Sequence, residues 1–478
     1  MNGIGAKIGS GTAWNLMNLF LSRGASIVFT LLLTRLLEPE AFGVIAMMSV
    51  FFELANMVVN AGLRQALIRS STVSETDLCT VFFSNILFSS VAYLVLYFIA
   101  PAAADFYGQP LLEDLIRVAG LVLFVSSLTI VQDTLLRRQM RFRSIMHASV
   151  AGTLGSGALA LILAYEGFGV WSLVIQMVTA QVISGTIIWL QGSWRPSWKF
   201  STDSFWRMFR FGYKLVLESA IDVLYRNSFF VVIGKLFSAE LVGLYFLANR
   251  INQLVAPHIA EAVSQASFPA LSTLQDKPDD MREMYRQVIS ITMFIVAPLT
   301  AGLVVLSPLI FDVFLDARWR QSAVFLQLFS LIGLSYPLHL MNYNILAVKG
   351  RSDLVLWLGI ARKSVNVVIL ILCIPYGVYG ILIGQLLASI LALGPNTYYS
   401  ARIIGYGLYA QISDVIRPLI SASISGILAK ILIVLVHLSP VTTLIMGVVS
   451  LIFFYFVIAR LICAQDFMAI KKYLIHNG

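Results

Sequence analysis

Between residues 79 and 100 the chain runs CTVFFSNILFSSVAYLVLYFIA without one charged side chain. A stretch of that length and apolarity meets the roughly 20 residues that an α-helix needs to cross a bilayer. Comparable runs recur along the sequence, parted by short segments that hold most of the Lys, Arg, Asp and Glu. In hydrocarbon every backbone N–H and C=O must find its partner inside the protein, so only helices or closed barrels can span. The runs are continuous and not alternating, which selects helices. The chain is 59% hydrophobic and 12% charged, against about 45–50% and about 25% in soluble domains, so a soluble globular fold is excluded.

Turn and charge signals divide the 478 residues into about fourteen expected spans. Six lie near 12–34, 40–61, 79–100, 112–132, 146–165 and 169–191. Six more lie near 211–234, 241–263, 287–309, 321–346, 354–374 and 379–400, and two near 414–437 and 441–462. The fold class is therefore an all-α integral membrane protein. Its expected organisation is an N-terminal lobe (1–191), a cytoplasmic interfacial connector (192–210), a C-terminal lobe (211–400), and a last pair of spans with a cytoplasmic tail (401–478). The first run contains Arg23 and no convincing cleavage site, so it is expected to remain as a span and not to be a signal peptide.

Loop charge orients these spans. With the N-terminus in the cytoplasm, the inner loops carry Arg64 and Arg69; Arg137, Arg138, Arg141 and Arg143; Arg195, Lys199, Arg207 and Arg210; and, further on, Lys277, Arg282, Arg286, Lys349, Arg351, Arg402, Lys471 and Lys472. The outer loops offer little beyond Arg35, Lys235, Arg318 and Arg320. This is the positive-inside asymmetry, and it places both termini in the cytoplasm. The formal net charge of +9 is then mostly topology and calls for no nucleic acid. The Trp- and Arg-rich segment 194–214 lies between two spans and reads as an interfacial connector against anionic lipid.

One motif occurs twice. TRLLEPEAFGV (34–44) is answered by GKLFSAELVGL (234–244): Leu36 by Leu236, Glu40 by Glu240, Gly43 by Gly243, and Arg35 by the like-charged Lys235. Phe29 and Phe229 keep the same spacing, as do Gln65-Ala66 and Gln265-Ala266. Six spans separate the copies, an even number, so the halves share one orientation and form a parallel repeat about an axis along the membrane normal. Each copy reads as a hairpin turn. Arg35 and Lys235 close a helix at the negative end of its dipole, and Glu40 and Glu240 lie near the positive end of the next. Pro39 suits a first helical turn, while Gly43 and Gly243 permit close packing.

Ionisable groups inside spans cost at least ~2.5–3.5 kcal/mol at the bilayer centre and usually face a polar interior. The first span has Asn15, Asn18, Ser22 and Ser26 in helical register with Arg23 beside them, and the second has Glu53, Asn56 and Asn60 on one face. The seventh carries Glu218, Asp222 and Arg226 at steps of four. The eighth carries Arg250, Gln253, Pro257 and Glu261, and the eleventh Arg362, Lys363 and Asn366. Two readings stand. The charges pair inside the bundle, as Arg226 with Asp222, or they line a hydrated cavity between the lobes. Arg23 and Arg250 have no opposite charge one turn away in their own helices, which favours the cavity for them. The candidate anion contacts are Arg23, Arg226, Arg250 and Lys363. Glu53, Glu218, Asp222 and Glu261 are candidates for tuning or ion coupling.

Catalytic signatures are missing from the sequence: it has no phosphate-binding Gly-rich loop, no zinc-ligand helix and no nucleophile elbow. Cys79, Cys373 and Cys463 have no metal-ligand spacing and read as small core residues. Neither a metal nor a cofactor is expected, and the chain reads as a transporter and not an enzyme.

LLLTRLLEPEAFGVIAMMSVFF followed by AGLRQALI (61–68) resembles the opening of Wzx-type polysaccharide flippases, in the polysaccharide-transporter branch of the multidrug/oligosaccharidyl-lipid/polysaccharide exporter superfamily. The resemblance is close over the first two spans, and the fourteen-span plan extends it along the chain. It implies movement of an undecaprenyl-pyrophosphate-linked oligosaccharide from the cytoplasmic to the periplasmic leaflet of a bacterial inner membrane, for exopolysaccharide, O-antigen or capsule assembly. It also implies a polysaccharide polymerase and a chain-length regulator as partners. Three other readings compete: a multidrug exporter of the same superfamily, a lipid II flippase, and a polytopic glycosyltransferase or polymerase. The last would need a larger outer loop than the one near 310–320.

Overall fold

The computed structural model describes Met17 and residues 21–60, 62–70, 72–436 and 438–462; the side chains of Asn60, Lys214, Leu215, Leu217 and Glu218 are outside that description. Asn15, Asn18, Cys463, Lys471 and Lys472 lie outside the described residues. Every regular element among the described residues is a helix. Ten helical stretches there are long and apolar enough to cross a membrane. One of these, Ser352–Ile404, is 53 residues long, about 80 Å of helix at ~1.5 Å per residue against a ~30 Å hydrocarbon core, and so holds more than one crossing.

The described residues gather into two compact units, one ending at Gly243 and the other beginning at Leu244. The first holds α1 (21–36), α2 (Pro39–Asn60), α3 (Leu63–Arg69), α4 (Glu75–Tyr107), α5 (Leu111–Ala119), α6 (Leu121–Arg138), α7 (Phe142–Tyr165), α8 (Trp171–Gln191) and α9 (Thr202–Leu236). α7 lies along α8, α4 packs on α2 and α6, and α9 closes over α2, α3 and α4. α9 is helical from Thr202 onward, so its first turns belong to the amphipathic, Trp-rich stretch, where Phe205, Phe209 and Tyr213 stack in register. α4 opens on a reciprocal cap. Asp77 N–H donates to Ser74 Oγ and Ser74 N–H to Asp77 Oδ2, and the Arg207 guanidinium of α9 holds the other carboxylate oxygen.

The first hairpin turns where α1 ends and Pro39 starts α2. The second copy follows the same plan with one substitution of device: α10 (Ala239–Gln253) is opened by Ser238, whose Oγ accepts from Leu241 N–H at 3.2 Å. Lys235 donates to the Phe106 carbonyl at 2.6 Å, within the last turn of α4, and lies 4.8 Å from the Phe106 ring centroid. Its cation thus satisfies a helix C-terminal carbonyl, although that of a neighbouring helix.

The second unit continues α10 and adds α11 (Ala256–Thr273), α12 (Pro278–Phe314), α13 (Arg320–Gly333), α14 (Tyr336–Val348), α15 (Ser352–Cys373), α16 (Gly377–Leu391), α17 (Leu393–Ile404), α18 (Leu408–Leu435) and α19 (Pro440–Ile462). α12 is its axis, packed by α13, α18 and α19. Two internal prolines, Pro298 and Pro308, deny a donor to the carbonyls of Phe294 and Val304. Both carbonyls are satisfied from other helices: Tyr455 Oη donates to Phe294 O at 2.8 Å and Gln327 Nε2 to Val304 O at 2.9 Å. The expected eighth span is broken at Leu254–Val255, just before Pro257, and resumes as α11.

Candidate functional site

In the first unit two polar cavities adjoin. The first encloses about 390 Å³ between α2, α3 and α9 and is lined by Glu53, Asn56, Gly62, Arg64, Gln65, Ser219 and Arg226, among others. Gly62 starts α3 with φ +67°, and a Cβ there would overlap the backbone of Gly212 in α9. Two glycines thus let α3 lie directly on α9 and form one wall of this cavity.

Glu53 and Arg226 face each other across it, with the guanidinium 3.8 Å from the carboxylate. Arg226 therefore reaches a carboxylate on another helix. Asn227, 2% exposed, orients Glu53: its Nδ2 donates to Glu53 Oε2 at 2.9 Å, and its Oδ1 accepts from Ser49 Oγ at 2.9 Å. Both charged side chains are open to the cavity, and Asp222 is exposed one turn earlier on α9. Glu218 belongs to the side chains that the structure does not describe.

The second cavity, about 370 Å³, lies between α6, α7 and α8. Arg64 lines both. Its guanidinium is 3.4 Å from Asp133 Oδ2, and Arg137 Nε donates to the same oxygen at 2.8 Å. Arg138, the next residue, donates to the carbonyls of Leu67, Ile68 and Ser70 and so closes the C-terminus of α3. Arg137 and Arg138, expected from sequence as inner-loop charges, are the last residues of α6, and they clamp α3 onto α6 and fix Arg64. Burial pushes the Arg64 pKa down, Asp133 pulls it back up, and Arg137 lowers it further. A guanidinium stays charged regardless, so Arg64 is a cation held where further negative charge is welcome.

Sequence reasoning selected Arg226 and Glu53, and the structure brings them together. It did not select Arg64, Asp133, Arg137 or Asn227. The available signal was Asp133 four residues ahead of Arg137, an ion-pair spacing on one helix face. Arg23 stands exposed on α1, whose Ser22 meets Ser149 of α7 at 3.0 Å.

In the second unit the candidates are more dispersed. Arg250 is exposed in the last turn of α10, 5.9 Å from the Phe246 ring centroid. Glu261 accepts from Tyr336 Oη at 3.1 Å, with His258 Nδ1 at 3.8 Å. Lys363 is half-buried on α15, beside Arg362, whose guanidinium is 5.4 Å from the Tyr343 ring centroid. His339 is buried and fully engaged, with Nε2 on the Ser389 carbonyl at 3.1 Å and Nδ1 on Asn396 Nδ2 at 2.8 Å. No cluster of metal-ligating side chains occurs among the described residues.

A multi-pass helical bundle with polar, charge-lined cavities among its helices has the build of a membrane transporter. The solved structures it resembles are of that class. The fold matches lipid II flippase MurJ in an inward closed conformation with a TM-score of 0.74 over 95% of this chain and 99% of that one, at 14% identity. It matches an inward-facing multidrug resistance MATE family transporter of the MOP superfamily with a TM-score of 0.63 over 80% and 94%, at 16% identity. The chain belongs to the polysaccharide biosynthesis protein family, which matches residues 32–324. Among its relatives, the teichuronic acid biosynthesis protein TuaB of Bacillus subtilis (strain 168) is 22% identical over 78% of each chain. The succinoglycan biosynthesis transport protein ExoT of Rhizobium meliloti (strain 1021) is 24% identical over 65% of this chain and 63% of that one. The lipopolysaccharide biosynthesis protein WzxC of Escherichia coli (strain K12) is 22% identical over 72% and 70%.

Proposed function

We propose that this chain is a flippase that carries undecaprenyl-pyrophosphate-linked oligosaccharide repeat units from the cytoplasmic to the periplasmic leaflet by alternating access. The product would be built into exopolysaccharide, O-antigen or capsule. The observation that carries the proposal is the cavity lined by Arg64 and Arg226, whose guanidiniums together with that of Arg137 outnumber the two carboxylates they face, Glu53 and Asp133, inside a membrane transporter fold. A pyrophosphate crossing hydrocarbon unpaired would be prohibitively costly. Cations in a hydrated cavity remove that cost, while the polyprenyl tail stays in lipid. Membership in a polysaccharide biosynthesis family supports the substrate class, and the likeness of the fold to a lipid II flippase supports the reaction.

Arg23, Arg250 and Lys363 are proposed as further anion contacts on the path. Asp222, Glu218 and Glu261, with Glu53, are proposed as tuning or ion-coupling groups. The repeated hairpin (Arg35, Pro39, Glu40, Gly43; Lys235, Glu240, Gly243) is assigned to architecture. The protein would act in the bacterial cytoplasmic membrane with both termini inside, deliver to a polymerase and its chain-length regulator, and catalyse no covalent step.

Lipid analysis of a strain lacking the gene tests this. Complete repeat units on undecaprenyl pyrophosphate should accumulate in the cytoplasmic leaflet and clear when the gene is restored. Intact surface polysaccharide with no accumulation would reject it and turn attention to drug export, which the MATE-like fold also accommodates.

A further inference from the structure

The second unit holds a polar cavity of its own, about 460 Å³, between the first turns of α12 and those of α18. α12 carries no charge from Gln287 to Phe311, a run long enough to cross the hydrocarbon core. Its first turns, with Asp279, Arg282, Glu283 and Arg286, therefore stand at the level of the lipid headgroups, and all four side chains line the cavity. Tyr409, Ser413 and Asp414 face them from α18. Tyr409 is 89% exposed, as suits a ring of the interfacial aromatic belt.

Two of these charges are spent on each other. Arg286 holds Asp414 through two bonds of 2.8 Å. One guanidinium, Arg282, and two carboxylates, Asp279 and Glu283, remain. Arg282 reaches across to the α17–α18 turn, where a Cβ on Gly405 would lie 3.7 Å from its Nη1. Glu283 Oε1 accepts from Gln287 Nε2 at 3.1 Å, which leaves Oε2 for another donor. Asp279 and Glu283 are four residues apart on one helix face, where like charges repel, and Arg282 neighbours Asp279 at a step of three. A cation between the two carboxylates would relieve that repulsion, and an anion on Arg282 would complete the balance. The cavity thus complements a ligand that carries both signs.

Beyond Tyr409 and Ser413 the surface turns apolar. Ile412 and Ile416 lie three residues further on, Ile420 follows one turn later, and all three are exposed. A doubly charged cavity continued by an apolar stripe fits an amphiphile. We infer that this is a site for a zwitterionic aminophospholipid of the phosphatidylethanolamine type. Its phosphate lies on Arg282, its ammonium between Asp279 and Glu283, and its acyl chains along Ile412, Ile416 and Ile420. A phosphatidylglycerol headgroup would bring the carboxylates an anion and no cation, and a choline headgroup has no N–H to donate. The bound lipid would bridge α12 and α18, whatever substrate the protein carries.

Native mass spectrometry of the full-length chain in detergent, titrated with phosphatidylethanolamine, phosphatidylcholine and phosphatidylglycerol of identical acyl chains, tests this. Phosphatidylethanolamine should bind at least about tenfold tighter than the other two, the worth of one hydrogen bond between charged groups. Asp279→Asn combined with Glu283→Gln should abolish its advantage over phosphatidylcholine without weakening phosphatidylcholine itself. Arg282→Gln should weaken phosphatidylethanolamine. Should the double variant not elute as the wild type does in size exclusion, Glu283→Gln alone replaces it and should reduce the advantage. Equal wild-type affinity for the three lipids overturns the site. So does a preference for phosphatidylglycerol, which would make the cavity an anion site. A preference for phosphatidylethanolamine that persists in the carboxylate variants places the lipid elsewhere and overturns it too.

Discussion

Gly43 and Gly243, the same position in two copies of one motif, meet backbone to backbone. A Cβ on Gly43 would overlap the Ala239 carbonyl oxygen and reach 3.0 Å from Gly243 N; a Cβ on Gly243 would overlap the Pro39 carbonyl oxygen and reach 3.0 Å from Gly43 N. Pro39 and Ala239 are themselves equivalent positions of the repeat. The contact is reciprocal, as at a two-fold axis, and it relates residues 39–43 to 239–243.

Backbone atoms cannot rotate away from an added methyl, so the helices must separate. Gly43→Ala and Gly243→Ala should each destabilise by about 1–3 kcal/mol, as overpacking does. The double variant should cost less than the sum, because one separation accommodates both methyls. Gly24→Ala on α1, with nothing within 4 Å, should be neutral or slightly stabilising. Unfolding midpoints in detergent decide this. Full additivity, or a Gly43→Ala midpoint equal to that of Gly24→Ala, would refute the crossing.

Glu53 and Arg226 separate stability from transport. The pair is 3.8 Å apart with side chains 44% and 67% exposed, so it should add only ~0–1 kcal/mol to stability. A hydrogen bond to a charged group is worth about 1.5–3 kcal/mol, roughly ten- to a hundredfold in affinity. Arg226→Gln should therefore unfold like the wild type while losing at least about tenfold in binding to geranyl pyrophosphate. Glu53→Gln removes a repelling carboxylate and should bind that anion more tightly. Asn227→Leu removes the hydrogen bonds to Glu53 and from Ser49 but leaves Glu53 open to the cavity and Ser49 on the Ala46 carbonyl, so it should cost about 0.5–1.5 kcal/mol of stability. Loss of stability in Arg226→Gln with anion binding intact would make the pair structural.

Much of this was legible in the sequence, for reasons tied to period and cost. The apolar runs from α4 to α8 announce themselves because lipid demands length and continuity. The hairpin announces itself because a charged, proline-bearing turn stands out in apolar sequence. Arg226 and Glu53 were visible because a charge in a span is expensive. The Arg64–Asp133–Arg137 cluster was not visible. It depends on α3, seven residues long, too short for a hydrophobic period to mark it. It depends also on Arg138 bonding main-chain carbonyls, which no side-chain pattern encodes. Arginines just outside a span look topogenic in sequence whether or not they fold back onto a buried carboxylate. The break at Leu254–Val255 was hidden likewise, since Pro257 sits within an otherwise continuous run.

Two side chains repair α12. Pro298 and Pro308 leave the Phe294 and Val304 carbonyls without helical donors, and Tyr455 and Gln327 supply them. Tyr455 is 3% exposed, so Tyr455→Phe keeps the packing and strands one carbonyl, at about 1–3 kcal/mol. Gln327→Leu should cost a similar amount. Restoring the donor within α12 by Pro298→Ala should make Tyr455→Phe nearly free of cost, a coupling that a double-mutant cycle would read directly. Equal penalties for Tyr455→Phe in both backgrounds would show that the hydroxyl serves another end.

Tyr406 gives the second unit a pH limit. It lies between α17 and α18, 1% exposed, and donates to Asp414 Oδ2 at 2.7 Å, while Arg286 clasps the same carboxylate through two bonds of 2.8 Å. Burial, then the hydrogen bond to Asp414 and its charge, push the Tyr406 pKa well above the ordinary phenol value. The folded state thus keeps a proton that the unfolded chain releases above about pH 10. The stabilisation is fully present below that pH and is lost as pH rises towards the folded value, by up to about 1.4 kcal/mol per pH unit. The unfolding midpoint should therefore be insensitive to this group from pH 7 to about 9.5 and fall beyond about 10. Tyr406→Phe should cost about 1 kcal/mol at neutral pH, the net worth of one hydrogen bond, and should show a shallower fall in alkali than the wild type. Parallel alkaline limbs in the two proteins would mean that the phenol ionises as easily folded as unfolded, and that Asp414 is held by Arg286 alone.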